Sequence, residues 1–187
     1  MQSKVESIGL DGFYQESELP LLLKHKGMAT WKDGTVKILD RRKLPFTQEY
    51  ILCHTFEEVA IAIEEMVIQG AFSISIAAGY GLALSAQVAG ASIKDIYSAA
   101  SRLKKTRPTG LALSRVLDLC LLRAKNAIKN NLTVADQIIQ LTDLIASDLA
   151  MQARRTAQYA LTLLNDGDTL LTHCFPDRSY VYLLMEA

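Results

Sequence analysis

The sequence predicts an α+β fold that is mostly helical: a small N-terminal antiparallel sheet, a helical bundle, and then the start of a second, α/β-type unit. Three observations carry this expectation. An Asp-Gly pair, Asp33-Gly34, lies between two short β-prone runs. From Thr55 onward the apolar residues recur at helical spacing. At Asn165-Asp166-Gly167-Asp168 the character changes again, to a turn, a β-prone run and a helix start. The expected division is 1–54 for an N-terminal extension and the sheet, 55–165 for the bundle, and 166–187 for the beginning of the last unit.

The elements follow in order. Met28–Trp31 and Thr35–Leu39 flank Lys32-Asp33-Gly34, the pattern of a hairpin. A turn at Lys43-Leu44-Pro45 leads to a third strand, Glu49–Cys53. Thr55 and Glu58 form a capping box, and Phe56, Val59, Ala60, Ile63, Met66 and Val67 line one face of a helix that Gly70 should end. A second helix, about Phe72 to Val88, is dense in Ala, Ser and Gly; small side chains let helix backbones approach closely, so it is expected to be central. Gly90 and Ser92 punctuate it. The third carries Ile93, Ile96, Tyr97, Ala100 and Leu103 on one face and stops before Thr106-Arg107-Pro108. Pro108 suits the first position of a fourth helix, which runs to about Lys129. Thr133 with Asp136 should cap a long last bundle helix, with apolar positions from Val134 to Leu164. Thr169–Cys174 reads as a strand and Arg178–Glu186 as a helix.

Bulk properties exclude several functions. Half of the 187 residues are hydrophobic, enough for the core of one domain, or of one domain and a piece of another. Twenty basic residues balance twenty acidic ones without a basic stripe or acidic block, so no nucleic acid or membrane surface is expected as a partner. Cys53, Cys120 and Cys174 are odd in number and have no paired spacing, which fits a reducing compartment. The polar, acidic start is not a signal peptide, and no stretch approaches the ~18 uncharged apolar residues of a membrane span. A cytoplasmic protein is expected.

Few residues stand out as chemical. Arg107 precedes a predicted helix N-terminus, where free amides, the helix dipole and a guanidinium could hold an anion. An exposed arginine before an ordinary helix start explains the same residues, and every helix has such an end. Cys174 falls at the C-terminal end of a predicted strand, where α/β sheets place ligands. A buried inert thiol is the commoner state of a free cysteine. His25, His54 and His173 lack ligand spacing, so neither a metal nor a cofactor is expected. Gly79-Tyr80-Gly81 is too slight for a phosphate loop and reads as a packing contact.

Several segments, in order, resemble the methylthioribose-1-phosphate isomerase family, which also includes ribose-1,5-bisphosphate isomerase and the alpha, beta and delta regulatory subunits of initiation factor 2B. They are Val36–Asp40 with Leu44-Pro45, Ala62-Ile63 through Ala71, Ile76–Leu84, Thr106–Thr109, and Gly167-Asp168 with Leu171–Cys174. The resemblance implies a small sheet and bundle followed by a Rossmann-like domain, with the active site between them and a dimeric assembly. It implies that Gln69, Gly70, Ala71 and Arg107 line the phosphate and sugar side of the pocket, and that Cys174 is the catalytic cysteine. The reaction would turn an aldose 1-phosphate into a ketose 1-phosphate, with the cysteine assisted by an aspartate of the Rossmann-like domain.

Departures bear on this. The isomerases read Arg-Gly-Ala-Pro-Ala-Ile-Gly where this chain has Gln69–Ser75, so a cation is lost. Gly110–Leu113 replaces Ala-Val-Asn-Leu, and Phe175-Pro176-Asp177 stands where the isomerases carry Asn and a glycine-bearing turn. The chain ends soon after Cys174, at the first strand of a Rossmann-like domain that would then be missing. The expectation is the N-terminal part of a sugar-phosphate isomerase, inactive as this chain alone, acting as a homodimer or with a chain that supplies the second domain. The alternative is a non-catalytic regulatory subunit like those of initiation factor 2B.

Overall fold

The structure, a computed structural model, describes residues 19–24, 27–88, 91–173 and 177–186. Strands β1 (Ala29–Lys32) and β2 (Thr35–Leu39) form the expected hairpin. Asp33 and Gly34 both have positive φ, 47° and 77°, the type I′ geometry whose twist suits the flanking strands. β3 (Tyr50–Cys53) adds to the other side of β2, so the sheet order is β1-β2-β3, all antiparallel. Ile38 lies opposite both Ala29 and Ile51, and Val36 opposite Cys53. Val36, Ile38 and Cys53 are buried under the helices, whereas Leu52 on the other face is exposed. That alternation is what an antiparallel sheet covered on one side requires.

Helix α1 (Phe56–Glu64) opens with the predicted capping box: Glu58 N donates to Thr55 Oγ1, and Thr55 N donates back to Glu58 Oε2. It stops six residues before Gly70, earlier than its apolar periodicity suggests. Helix α2 (Ala71–Gln87) is the centre of the molecule and contacts α1, α3, α4, α5, β1 and β2, where α3 is Ile93–Lys105, α4 Leu111–Lys129 and α5 Val134–Leu161. Residues 74–85 of α2 are buried without a break, including Tyr80, whose ring meets Trp31 of β1 at a centroid distance of 6.3 Å. The Tyr80 hydroxyl donates to Asp143 Oδ1 on α5 at 2.7 Å, so the one polar end of this buried side chain is satisfied.

The outer helices are fastened by local chemistry. Ser92 and Asp95 form a second capping box, at the start of α3. Arg102 of α3 reaches Glu57 and Glu64 on α1 at 2.7 Å each, a two-carboxylate clamp between the helices. Asn131, at φ 55°, ends the turn after α4. Thr133 occupies the N-cap position of α5, yet its hydroxyl caps no amide, contrary to expectation. That helix is instead held by its buried face, Ala135, Ile138, Thr142 and Ala146, against α2 and α4. It ends at Leu161, before Leu164.

One further expectation changes. Thr169–His173 form no strand; Leu171 is fully exposed, and no neighbouring strand among the described residues receives its amides. Helix α6 (Asp177–Glu186) does form, and it lies on α5, with Tyr182 and Leu183 packed beside Ala157 and Leu19. Gly90 lies outside the described residues.

The closeness of α2 and α5 gives a test of this packing. A Cβ at Gly79 would sit 2.6 Å from Thr142 Oγ1 and 3.0 Å from its Cγ2. In an open helix Gly→Ala stabilises by about 1 kcal/mol. Here Gly79→Ala should destabilise by about 1–3 kcal/mol in urea unfolding, the usual cost of overpacking. Adding Thr142→Ala should recover most of that loss. A stabilised single variant would show that the two helices are further apart than described.

Candidate functional site

Three of the residues singled out in the sequence meet around the end of α1. The helix closes with a Schellman motif: Met66 N donates to Ile63 O at 3.3 Å and Val67 N to Ala62 O at 2.9 Å. The motif needs a left-handed residue, and Met66 supplies it at φ 62°, at a cost of about 1–2 kcal/mol for a side chain other than glycine. Arg107 supports that corner. Its Nη2 donates to Ile63 O at 2.7 Å and also contacts Met66 Sδ, while Nη1 donates to Thr106 O at 3.2 Å. A cation on the last carbonyls of a helix is favoured by the dipole as well as by the hydrogen bond.

Gln69 approaches the same corner from the other side. Its Nε2 donates to Met66 O at 3.2 Å, and its backbone carbonyl accepts from Arg41 Nη1 at 3.1 Å. Gly70 then turns the chain into α2 at φ 94°, a conformation that side chains rarely adopt. A Cβ there would lie 3.8 Å from both Arg41 Nη1 and Ser73 Oγ. Ala71 is the first residue of α2. Arg41 is held by its own backbone, N to Val67 O at 2.9 Å, and by the short turn that follows Asp40. Asp40 is buried and accepts from Arg42 N at 3.0 Å, Nε at 2.9 Å and Nη2 at 2.8 Å. The Arg42 fork holds the Asp40 carboxyl below its ordinary pKa.

The cluster thus presents two guanidinium groups, Arg41 and Arg107, with the Gln69 amide and the start of α2. Arg41 was not a candidate in the sequence. Its signal was present as three consecutive cations, Arg41-Arg42-Lys43, in a chain of zero net charge. Arg107 belongs to the cluster by a different route from the one expected. Pro108 does not open a helix; α4 begins only at Leu111. The intervening turn uses one of the two amides expected to be free, those of Thr109 and Gly110: Gly110 N donates to Arg107 O at 2.8 Å. Beside Arg41, the helix start without a side-chain cap is that of α2, at Gly70.

Cys174 and His25 lie outside the described residues. Cys53 and Cys120 are buried, and burial pushes both thiols up to about 11. Among the described residues no group of three or more His, Cys, Asp or Glu is placed to hold a metal, and no helix is long and apolar enough to cross a membrane.

Residues 67–184 match the Initiation factor 2 subunit family. The chain is 39% identical over 146 residues to a putative methylthioribose-1-phosphate isomerase of Methanocaldococcus jannaschii, covering 77% of this chain and 41% of that protein. It is 36% identical over 159 residues to methylthioribose-1-phosphate isomerase of Thermotoga maritima, covering 81% of this chain and 44% of that one. Among solved structures, subunit delta of the translation initiation factor eIF-2B from A. fulgidus superposes with a TM-score of 0.64 at 30% identity, over 84% of this chain and 50% of that chain. The 5-methylthioribose 1-phosphate isomerase of Pyrococcus horikoshii superposes with a TM-score of 0.61 at 27% identity, over 82% and 45%. The fold is therefore that of the N-terminal portion of these proteins, and the chain spans less than half the length of the curated relatives.

Two measurements check the cluster as described. Arg107→Ala should lower stability by about 1 kcal/mol without any ligand, because the α1 carbonyls lose a charged donor at a partly exposed site. No measurable loss in urea unfolding would show that the guanidinium does not hold the corner. Iodoacetamide at pH 8 should leave Cys53 and Cys120 unmodified in the folded chain and label both after denaturation; mass spectrometry finding either one labelled natively would contradict their burial.

Proposed function

The chain belongs to the initiation factor 2 subunit family, and on that premise we propose that it is the N-terminal part of a sugar-phosphate aldose–ketose isomerase resembling methylthioribose-1-phosphate isomerase. The observation that carries this reading is the convergence of Gln69 and Arg107 on Met66, beside Gly70 and the start of α2. Gln69, Gly70, Ala71 and Arg107 then form the phosphate and sugar side of the pocket. Arg107 spends three hydrogen-bond contacts on the protein and a guanidinium has five N–H donors, so donors remain for a phosphate. Arg41, at the same end of α2, offsets part of the charge that Gln69 lacks.

The chemistry asked of such a site is proton transfer. A phosphate on the anomeric carbon prevents free ring opening, so acid and base groups must act at that carbon and at the ring oxygen. Cys174 is our candidate for one of them. The second, an aspartate of the Rossmann-like domain that the resemblance implies, is not among these 187 residues. The assembly we propose is a homodimer, working on a soluble sugar phosphate in the cytoplasm.

A second reading, a non-catalytic regulatory subunit, is favoured by one observation: Gln69 stands where the isomerases carry arginine, in a chain that superposes on an initiation-factor subunit. A charged hydrogen bond contributes ~1.5–3 kcal/mol against ~0.5–1.5 for a neutral one, so phosphate affinity would be about tenfold lower.

Calorimetry and a turnover assay separate these readings. Methylthioribose 1-phosphate or ribose 1,5-bisphosphate should bind, more weakly by about tenfold in Arg107→Gln and more tightly in Gln69→Arg. Binding that neither substitution alters would remove the site assignment. The 187-residue chain alone should show no appreciable turnover, since each absent acid–base group costs ~10²–10⁴ in rate. Turnover at an ordinary enzyme's rate, abolished by Cys174→Ser, would show that the acid–base set is complete within this chain.

A further inference from the structure

A cavity of about 220 Å³ opens between α2, α5 and α6, and none of Gln69, Gly70, Ala71 or Arg107 lines it. Its walls are mostly apolar, with Met28 and Ile76 on one side and Leu149 and Ala153 of α5 on the other, but Gln152 and Ser179 also line it. Arg178, in the first turn of α6, stands at its border together with Ser73 of α2. The Thr156 hydroxyl, also at the wall, is already spent on Gln152 O at 2.9 Å. Among the described residues Arg178 makes no hydrogen bond or ion pair, and its side chain is partly exposed. A partly exposed guanidinium at the edge of such a recess meets water, and an anion can take the water's place.

We propose that this cavity is a second ligand site, for a small organic anion with a compact apolar body. The anionic head, a carboxylate or a phosphate monoester, pairs with the Arg178 fork, whose geometry matches either. The body fills the space between Ile76 and Leu149. A cavity of about 150 Å³ accommodates a benzene ring, so this one has room for a ring or a six-carbon chain beneath the head. The site draws on three separate helices, so the ligand also fastens α6 to the bundle. It does not depend on the isomerase reading, because it uses none of the residues assigned there.

The test uses the whole 187-residue chain with hexyl phosphate, hexanoate, hexanol and inorganic phosphate, by calorimetry and thermal shift. Hexyl phosphate and hexanoate should bind with dissociation constants on the order of 0.1 mM, as expected for about ten well-placed atoms. Inorganic phosphate and hexanol should each bind at least about tenfold more weakly, lacking the body or the charge. Arg178→Gln should weaken both organic anions about tenfold and leave hexanol unchanged. Ala153→Leu, which fills the recess from a partly buried position, should abolish binding while urea unfolding shows the chain still folded. Three results would overturn the proposal: inorganic phosphate binding as tightly as hexyl phosphate, organic anions indifferent to both substitutions, or their loss in Arg107→Gln with Arg178→Gln unaffected. The last would place the probe in the isomerase cluster instead.

Discussion

Helix α2 is enclosed by four helices and two strands, and it can be enclosed because two positions on it carry no side chain. Gly79 meets Thr142 of α5, and Gly81 meets Val59 of α1, where a Cβ would come within 3.1 Å of Val59 Cγ1. Any larger residue would push α1 and α5 outward, and core packing has little slack to absorb such a shift. The two contacts lie on different sides of α2, so they fix α1 and α5 relative to each other through the helix between them. The sheet is referenced to the same helix through Trp31 against Tyr80, and α5 a second time through Tyr80 and Asp143. A central helix without a polar face cannot stand in solvent, so it forms only as its neighbours assemble around it.

The candidate site is a consequence of that enclosure. With α1 and α2 both fixed, the residues between them must reverse the chain within a few positions. Met66 takes a left-handed conformation, and Gly70 takes another at φ 94°. Strain of this kind persists only where surrounding contacts over-determine it. Those contacts come from elements far apart in sequence, Arg107 after α3 and Arg41 after β2. Buried Asp40 sets the Arg41 turn through the Arg42 fork, so the sheet, too, reaches the site. The arginines that hold this corner are thus the same ones proposed above to meet an anion, and a single arginine can serve both.

Much of the fold was legible in the sequence because its signals are local. The Asp33-Gly34 turn, the Thr55–Glu58 box and the stripe of small residues in α2 each act through their immediate neighbours. What was not legible depended on distant partners. The stop of α1 at Glu64 is set by a motif at Met66 that no glycine marks, stabilised by Arg107, more than forty positions away. The start of α4 was misplaced because Pro108 suits the first turn of a helix and a tight turn equally. The run from Thr169 is β-prone, but strand pairing is not a property of one segment, and among the described residues no strand pairs with it. At the candidate site, Gln69, Gly70 and Arg107 stood out through their place in an ordered set of motifs, and Arg41 did not, because it reads locally as one of several turn cations.

The exchange at position 69 can be weighed in the same terms. Losing a guanidinium from the first turn before α2 removes a charge but need not empty the site of charge, because Arg41 Nη1 lies 3.1 Å from the Gln69 carbonyl. Position matters more than count, however. Arg41 is tied to that carbonyl and reaches the start of α2 from the sheet side, whereas an arginine at 69 would extend from the corner itself. On the proposed reading, a phosphate that meets Arg41 also meets the amides at the start of α2, where Gly70 offers no side-chain cap. Those amides, unlike a side chain, cannot swing away, so what the site loses in charge it partly regains in fixed donors. On the reading proposed above, the Gln69 variant of this motif shifts the anion contacts toward Arg41 and the α2 amides rather than removing them.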